Sequence, residues 1–261
     1  LVVHRIGHIR SFAMLVTAMT ASILGLSIGS SYPLWVLLRV ATGAFVSGLY
    51  LVVESWLNEQ TSNDSRGSVL SAYTVIVLAG LAGGQLLLNI SEPAGDRLIV
   101  LSALFIVLAA IPVCLTSSAQ PQQIPRASFS PLQVLRTSRA ASSGAIIAGL
   151  VSGTIYGLGP VYGVQSGLDV MGVSIMMALT IVGGALAQFP LGRFSDRVDR
   201  RMVILACLLA GSLFAIVGLL LPSKYLPYTM FGFGAWVIPI YALSLALASD
   251  NAEPGDFLKI G

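Results

Sequence analysis

Gly192-Arg-Phe-Ser-Asp196-Arg197-Val-Asp199-Arg200-Arg201 carries six charged side chains in ten positions and lies between two long apolar runs, 171–191 and 202–221. Nowhere else in the chain are charges so dense. A run that polar, set where one hydrophobic helix ends and the next begins, reads as a tight loop at a membrane surface. The fold follows from what flanks it.

Of 261 residues, 56% are hydrophobic and 10% charged, and the mean hydropathy is +0.87. A soluble domain carries roughly 25% charged residues, so this chain cannot cover a globule with water-compatible surface. Its apolar residues come in blocks of about 20, the length that crosses a hydrocarbon core of about 30 Å. The expectation is an all-α polytopic membrane protein with the lipid bilayer as its solvent. Eight spans are predicted: roughly 11–30, 33–56, 67–90, 98–117, 141–164, 171–191, 202–221 and 225–249. Helices are required there, because lipid satisfies no free backbone N–H or C=O. Glycines inside the spans (Gly80, Gly83, Gly84, Gly149, Gly153, Gly183, Gly184) are the composition that lets helices approach closely in lipid.

The net charge of +3 points to topology, not to nucleic acid. Arg5, Arg10, Arg66, Arg126, Arg136, Arg139, Arg193, Arg197, Arg200, Arg201 and Lys259 fall on one side of the predicted membrane, Arg97 and Lys224 on the other. Basic loops stay cytoplasmic, which places both termini of this chain inside. Tyr32, Trp35, Trp56, Tyr225 and Tyr228 fall near predicted interfaces. Cys114 and Cys207 lie inside apolar blocks and read as small packing residues, neither a bridge nor a metal pair. No metal or cofactor is expected.

The Pro/Gln/Ser-rich stretch 118–140 reads as a cytoplasmic linker, dividing the chain into halves 1–117 and 141–261; Phe129-Ser-Pro131-Leu-Gln-Val-Leu within it suggests a short interfacial helix. An internal repeat relates the halves. Gly43-Ala-Phe-Val-Ser-Gly-Leu-Tyr50 and Gly234-Ala-Trp-Val-Ile-Pro-Ile-Tyr241 share a pattern 191 residues apart, and Arg5 and Arg197, each just before a span, stand 192 apart. Both copies enter the membrane in the same direction, so the repeat is parallel.

The run at 192–201, Gly-x3-Asp-Arg-x-x-Arg-Arg, resembles motif A of the major facilitator superfamily, which joins the second and third helices of each half; Asp199 stands where a glycine is usual. His4-Arg5-Ile-Gly7-His8-Ile-Arg10 resembles the tail of the first-half copy, with His4 at the aspartate position. Arg39-x3-Gly43 resembles motif B of the fourth helix. Glu54-Ser-Trp-Leu-Asn58-Glu59, followed by Arg66-Gly67, resembles a poorly characterised bacterial branch. Leu1 is no initiator methionine and the chain stops abruptly at Gly261, so both ends read as cut. The resemblance implies a fragment covering helices three to ten of twelve, in a bacterial inner membrane.

That resemblance gives roles to residues. Gly192, Asp196, Arg197, Arg200 and Arg201, with Arg5, Gly7 and Arg10 in the first half, form a candidate cytoplasmic gate. Glu54 and Glu59, and Asp250 and Glu253, are its candidate acidic partners. The bland alternative is that these charges only set topology and solubility. Arg39 is an intramembrane charge about 9 Å past Pro33, and such residues mark function by default; a proton-coupling or anion-binding role and a structural bond to a neighbouring helix stay open. Glu54 lies about 22 Å further along the same helix, so the two cannot pair. Tyr50 and Glu54 share a helix face; an interfacial role suits Glu54 near Trp56, and a cavity-facing acid near the cytoplasmic mouth is the other reading. By analogy, helices 33–56, 141–164 and 225–249 line a cavity. Its candidate contacts are Gly43, Ser47, Tyr50, Tyr156, Trp236, Tyr241 and Ser244.

His4 and His8 both read as amino-terminal loop residues, so no catalytic constellation is visible. No Gly-x4-Gly-Lys-Ser/Thr loop exists, which argues against a nucleotide-driven pump within this chain. The expectation is a secondary transporter of a small, neutral, amphipathic or weakly charged solute, working by alternating access and driven by protons. A degenerate transporter fold acting as a sensor or assembly partner is the alternative. Substrate, direction and oligomeric state are open.

Overall fold

A computed structural model describes residues 7–28, 31–61, 63–92, 95–115 and 139–250. The secondary structure of these residues is helical: α1 His8–Ile28, α2 Tyr32–Gln60, α3 Asn63–Leu86, α4 Arg97–Leu115, α5 Arg139–Gln165, α6 Val170–Ser195, α7 Arg200–Leu220, α8 Leu226–Val237 and α9 Ile240–Asp250, with single 3-10 turns at Leu87–Asn89 and Ser223–Tyr225. Eight segments are long and apolar enough to cross a bilayer, as the hydropathy blocks predict. This is a multi-pass membrane protein.

Local chemistry fixes the helix ends. Asp169 caps α6, its carboxylate accepting from Gly172 N–H at 2.8 Å, and Asp199 caps α7, accepting from Arg201 N–H at 2.9 Å. Each satisfies a backbone donor that the first turn leaves free. Gly7 precedes α1 at φ 83° and Gly167 precedes α6 at φ 86°, a left-handed backbone that side chains with a Cβ resist.

Three expectations change. The last span is not one helix: it breaks at Ile238–Pro239 into α8 and α9. Proline has no N–H to continue the ladder and crowds the carbonyl one turn back; the equivalent position in the first repeat copy is Gly48. His8 is not in a loop but is the first residue of α1, and is buried. Of the two cysteines, both free, Cys207 packs in the core, whereas Cys114 is exposed on α4. The segment 116–138, which includes most of the linker and the Phe129–Leu135 stretch, lies outside the described residues.

The chain divides into two compact units, Leu1–Thr74 with Ile90–Arg126, and Val75–Asn89 with Ala127–Gly261. Segment 75–89, in the first half by sequence order, thus groups with the second. In the first unit α1 packs against α2 and α4, with Leu38 of α2 over Gly25 and Leu15 of α1 against Gly48. In the second unit α8 packs against both α6 and α7, and α9 against α5 and α7. Met176, Met177, Ile181, Cys207 and Ile240 form the centre of its core. There α6 and α8 cross backbone to backbone: a Cβ on Gly183 would strike the carbonyl of Phe231, and one on Gly234 the carbonyl of Thr180. Small residues at a crossing are how helices associate where lipid removes the hydrophobic drive.

Candidate functional site

The densely charged run forms a built turn between α6 and α7. Ser195, 2% exposed, donates through Oγ to Gly192 O at 2.7 Å, and Asp196 N–H donates to the same carbonyl at 3.2 Å. These bonds close the end of α6 so that Asp196 stands just beyond it. Arg200, one turn into the bend, reaches back: its Nη2 donates to Asp196 Oδ1 at 2.8 Å and its Nη1 lies 3.4 Å from Ser195 Oγ. The Asp196 side chain remains 61% exposed and that of Arg200 20%, so the pair has one wet partner and one sheltered one. Beside it lies a cavity of about 120 Å³, lined by Gln188, Ser195, Asp196 and Arg200 and, from α9, by Ala242 and Ala246. Arg193 stacks its guanidinium 4.5 Å from the Phe189 ring centre, one turn back on α6. Arg197 and Arg201 are exposed.

An exposed ion pair is worth about 0–1 kcal/mol. The Asp196–Arg200 pair therefore adds little stability of its own. Ser195 and Gln188 went unnoticed in the sequence; a serine just before the aspartate at a helix end was the available signal.

The first-unit counterpart is built differently. Gly7 and Arg10 flank His8, whose Nε2 lies 3.1 Å from Ser55 Oγ on α2. Arg10 is exposed. Arg5 and Glu253, and the side chains of Glu59 and Asp250, lie outside the described residues. Glu54 interacts electrostatically with Tyr50 on its own helix and with Tyr73 on α3.

The intramembrane candidates are scattered by unit. In the first, the Arg39 guanidinium sits 5.7 Å from the ring centre of Trp35, one turn back on α2. Gly43 faces open space, and Ser47 donates its hydroxyl to Gly43 O at 3.0 Å. In the second, Tyr156 and Tyr241 are exposed and Trp236 packs against the core. Ser244 is buried against Gly144 at the α5–α9 contact, a packing position. A larger cavity of about 470 Å³ opens between α5, α7 and α8, with Tyr162, Phe214, Met230 and Phe233 on its walls. The hydroxyls of its two threonines are taken up by their own helices, Thr154 donating to Leu150 O and Thr229 to Leu226 O. Among the described residues, no group of His, Cys, Asp and Glu could hold a metal ion.

Against known proteins, the family model described as Major Facilitator Superfamily matches residues 1–256. The chain is 29% identical over 255 residues to the uncharacterised MFS-type transporter YcaD of Salmonella arizonae, and equally so to that of Salmonella newport, covering 96% of this chain and 66% of each relative. It therefore spans about two thirds of the length of these relatives. Among solved structures it resembles a bacterial homologue of the human lysosomal transporter Spinster, inward-facing and unoccupied, with a TM-score of 0.64 at 18% identity, covering 98% of this chain and 64% of that one.

Proposed function

Because the chain belongs to the Major Facilitator Superfamily, we propose that the protein is a secondary transporter that moves a small solute by alternating access and draws on a proton gradient. The observation that carries this reading is the Asp196–Arg200 turn: a sheltered arginine and a wet aspartate at 2.8 Å, on the loop joining two spanning helices. Its low energy suits a contact that breaks and re-forms in every cycle. The parallel repeat supports two bundles that rock about a midplane site. In this reading Gly192, Asp196, Arg197, Arg200 and Arg201 work as a cytoplasmic gate with Arg5, Gly7 and Arg10. Glu54, Glu59, Asp250 and Glu253 meet these bases when the gate is shut.

Arg39 is the group assigned to coupling or to an anionic part of the solute. It is a charge inside a spanning helix, held against an aromatic face, and in this reading its charge serves a ligand or proton carrier. Gly43, Ser47, Tyr50, Tyr156 and Tyr241 remain the candidate contacts, whereas Trp236 packs against the core and Ser244 is buried against Gly144. The bilayer is a bacterial inner membrane with both termini of this chain on the cytoplasmic side. The sparse intramembrane charge favours neutral, amphipathic or weakly charged solutes.

The test is flux in proteoliposomes, using a panel of radiolabelled neutral and amphipathic solutes with and without an imposed pH gradient. Uptake of at least one solute that the gradient accelerates and that Asp196→Asn abolishes supports the proposal. Flux of none by well-folded protein transfers the fold to the sensor or assembly reading.

A further inference from the structure

The cavity between α5, α7 and α8 lies at the end of the second unit far from the charged turn, and we infer that it is a groove for one acyl chain of an anionic phospholipid whose phosphate rests on Lys224. On α7 its wall is formed by the last turns, from Phe214 to Leu219, and on α8 by the first two, from Leu226 to Phe233. On α5 the wall runs from Leu150 to Tyr162, about 18 Å of helix. That is close to one leaflet of a hydrocarbon core about 30 Å thick.

The walls suit hydrocarbon. Leu158 on α5 and Leu219 on α7 are 62% and 69% exposed, whereas Ile155 and Leu226 are buried, so the cavity is a groove open along one side. The Thr154 and Thr229 hydroxyls are taken up by Leu150 O and Leu226 O. Apolar space of this kind stays free of water, and in a bilayer the available filler is a lipid tail. Burial there gains a tail little, because the surrounding lipid is as apolar as the walls. Selection must come from the ends of the groove.

The outer end carries a charge. The 3-10 turn Ser223–Tyr225 joins α7 to α8 directly between the wall residues Leu219 and Leu226. Its Lys224 is exposed, with Nζ 4.9 Å from the Tyr225 ring centre. Tyr225 and Tyr228 are exposed next to it, amphipathic rings of the kind that settle at headgroup depth. Arg97, the other basic residue on this side of the predicted membrane, belongs to the first unit. Among the described residues, Lys224 is therefore the one cation at this end of the second unit. A groove one leaflet deep, apolar along its length and cationic at its mouth, matches a phospholipid with a negative headgroup.

The test is native mass spectrometry of the detergent-purified protein, titrated with phosphatidylglycerol or with phosphatidylcholine of identical chains. The first phosphatidylglycerol is expected to bind about fivefold more tightly than the first phosphatidylcholine, the preference that one lysine at the surface confers. Lys224→Gln should bind the two lipids equally. Ala215→Phe, which puts a ring into the groove from α7, should lose the tight site for both. Leu209→Phe, an exposed α7 position outside the groove, controls for the added ring and should bind as wild type. Equal binding of both lipids by wild type, a preference that survives Lys224→Gln (the signature of the arginines at the charged turn), or a tight site that survives Ala215→Phe each overturns the proposal. So does a Leu158→Cys variant in nanodiscs, with Cys114→Ser and Cys207→Ala as background, that a lipid-soluble maleimide leaves unlabelled. An acyl chain exchanges and admits the reagent, whereas a protein segment lying over the groove excludes it. None of these readings depends on solute transport, so a failure here leaves the transporter reading standing.

Discussion

Gly234 on α8 rests directly on the carbonyl of Thr180 on α6, with no side chain between the two backbones. Gly183, one turn further along α6, meets the carbonyl of Phe231 in the same way. Two glycines facing each other's partner helix bring the two backbones into direct contact at this crossing.

Gly234→Ala or Gly183→Ala must therefore push the helices apart. Overpacking of this kind costs about 1–3 kcal/mol, and each variant is expected to lower the thermal midpoint in detergent. Gly149→Ala on α5, where a Cβ meets open space, should lose nothing and gain up to about 1 kcal/mol of helix propensity. Equal midpoints for Gly234→Ala and Gly149→Ala would show that the crossing is not tight.

Asp196→Asn separates gating from folding. The pair it breaks is largely wet on the aspartate side and holds about 1 kcal/mol or less of stability, so the melting midpoint should barely move. Solute flux in proteoliposomes should fall by about tenfold or more, equivalent to at least about 1.4 kcal/mol in the barrier. Normal flux with a normal midpoint would reduce the turn to a topology signal.

Arg39→Gln addresses coupling. The stacking on Trp35 that it removes is worth about 0.5–1 kcal/mol, too little to unfold the bundle. Flux should survive but lose its acceleration by a pH gradient. A variant that keeps the full gradient response assigns Arg39 a structural role.

Gly167→Ala probes the loop before α6. A residue with a Cβ at φ 86° is strained by roughly 1–2 kcal/mol, and the midpoint should fall accordingly. The site is distant in sequence from the charged turn, so any flux at permissive temperature should be retained.

The spans were legible because lipid imposes one length and one backbone solution, so hydropathy alone located eight of them. The parallel repeat was legible for a different reason: Gly43 and Gly234 open matching octapeptides. What those glycines do was not. Gly183 and Gly80 sit in similar small-residue runs, yet one faces a carbonyl and the other open space, because only the neighbouring helix distinguishes them. His8 was misread since Arg5 and Arg10 around it look like a loop, and its burial depends on Ser55, 47 residues away. The break in the last span had a signal, Pro239, that its long apolar context obscured. The position of the charged turn between two spans was legible, because its charges sit in ten consecutive residues; the pairing of Arg200 with Asp196 and the part played by Ser195 were not.

The glycine crossing also determines how force travels through the second unit. With backbone on backbone at Gly183 and Gly234, α6 and α8 have no side-chain layer between them at the crossing. Together they form a stiff beam, and the 26 residues of α6 give it a length of about 39 Å. The charged turn hangs at one end of that beam, and the break at Pro239 frees α9 from it. Between that turn and the crossing α6 carries Pro190, which removes one ladder hydrogen bond, so both ends of the α6–α8 pair have a proline where bending is easiest.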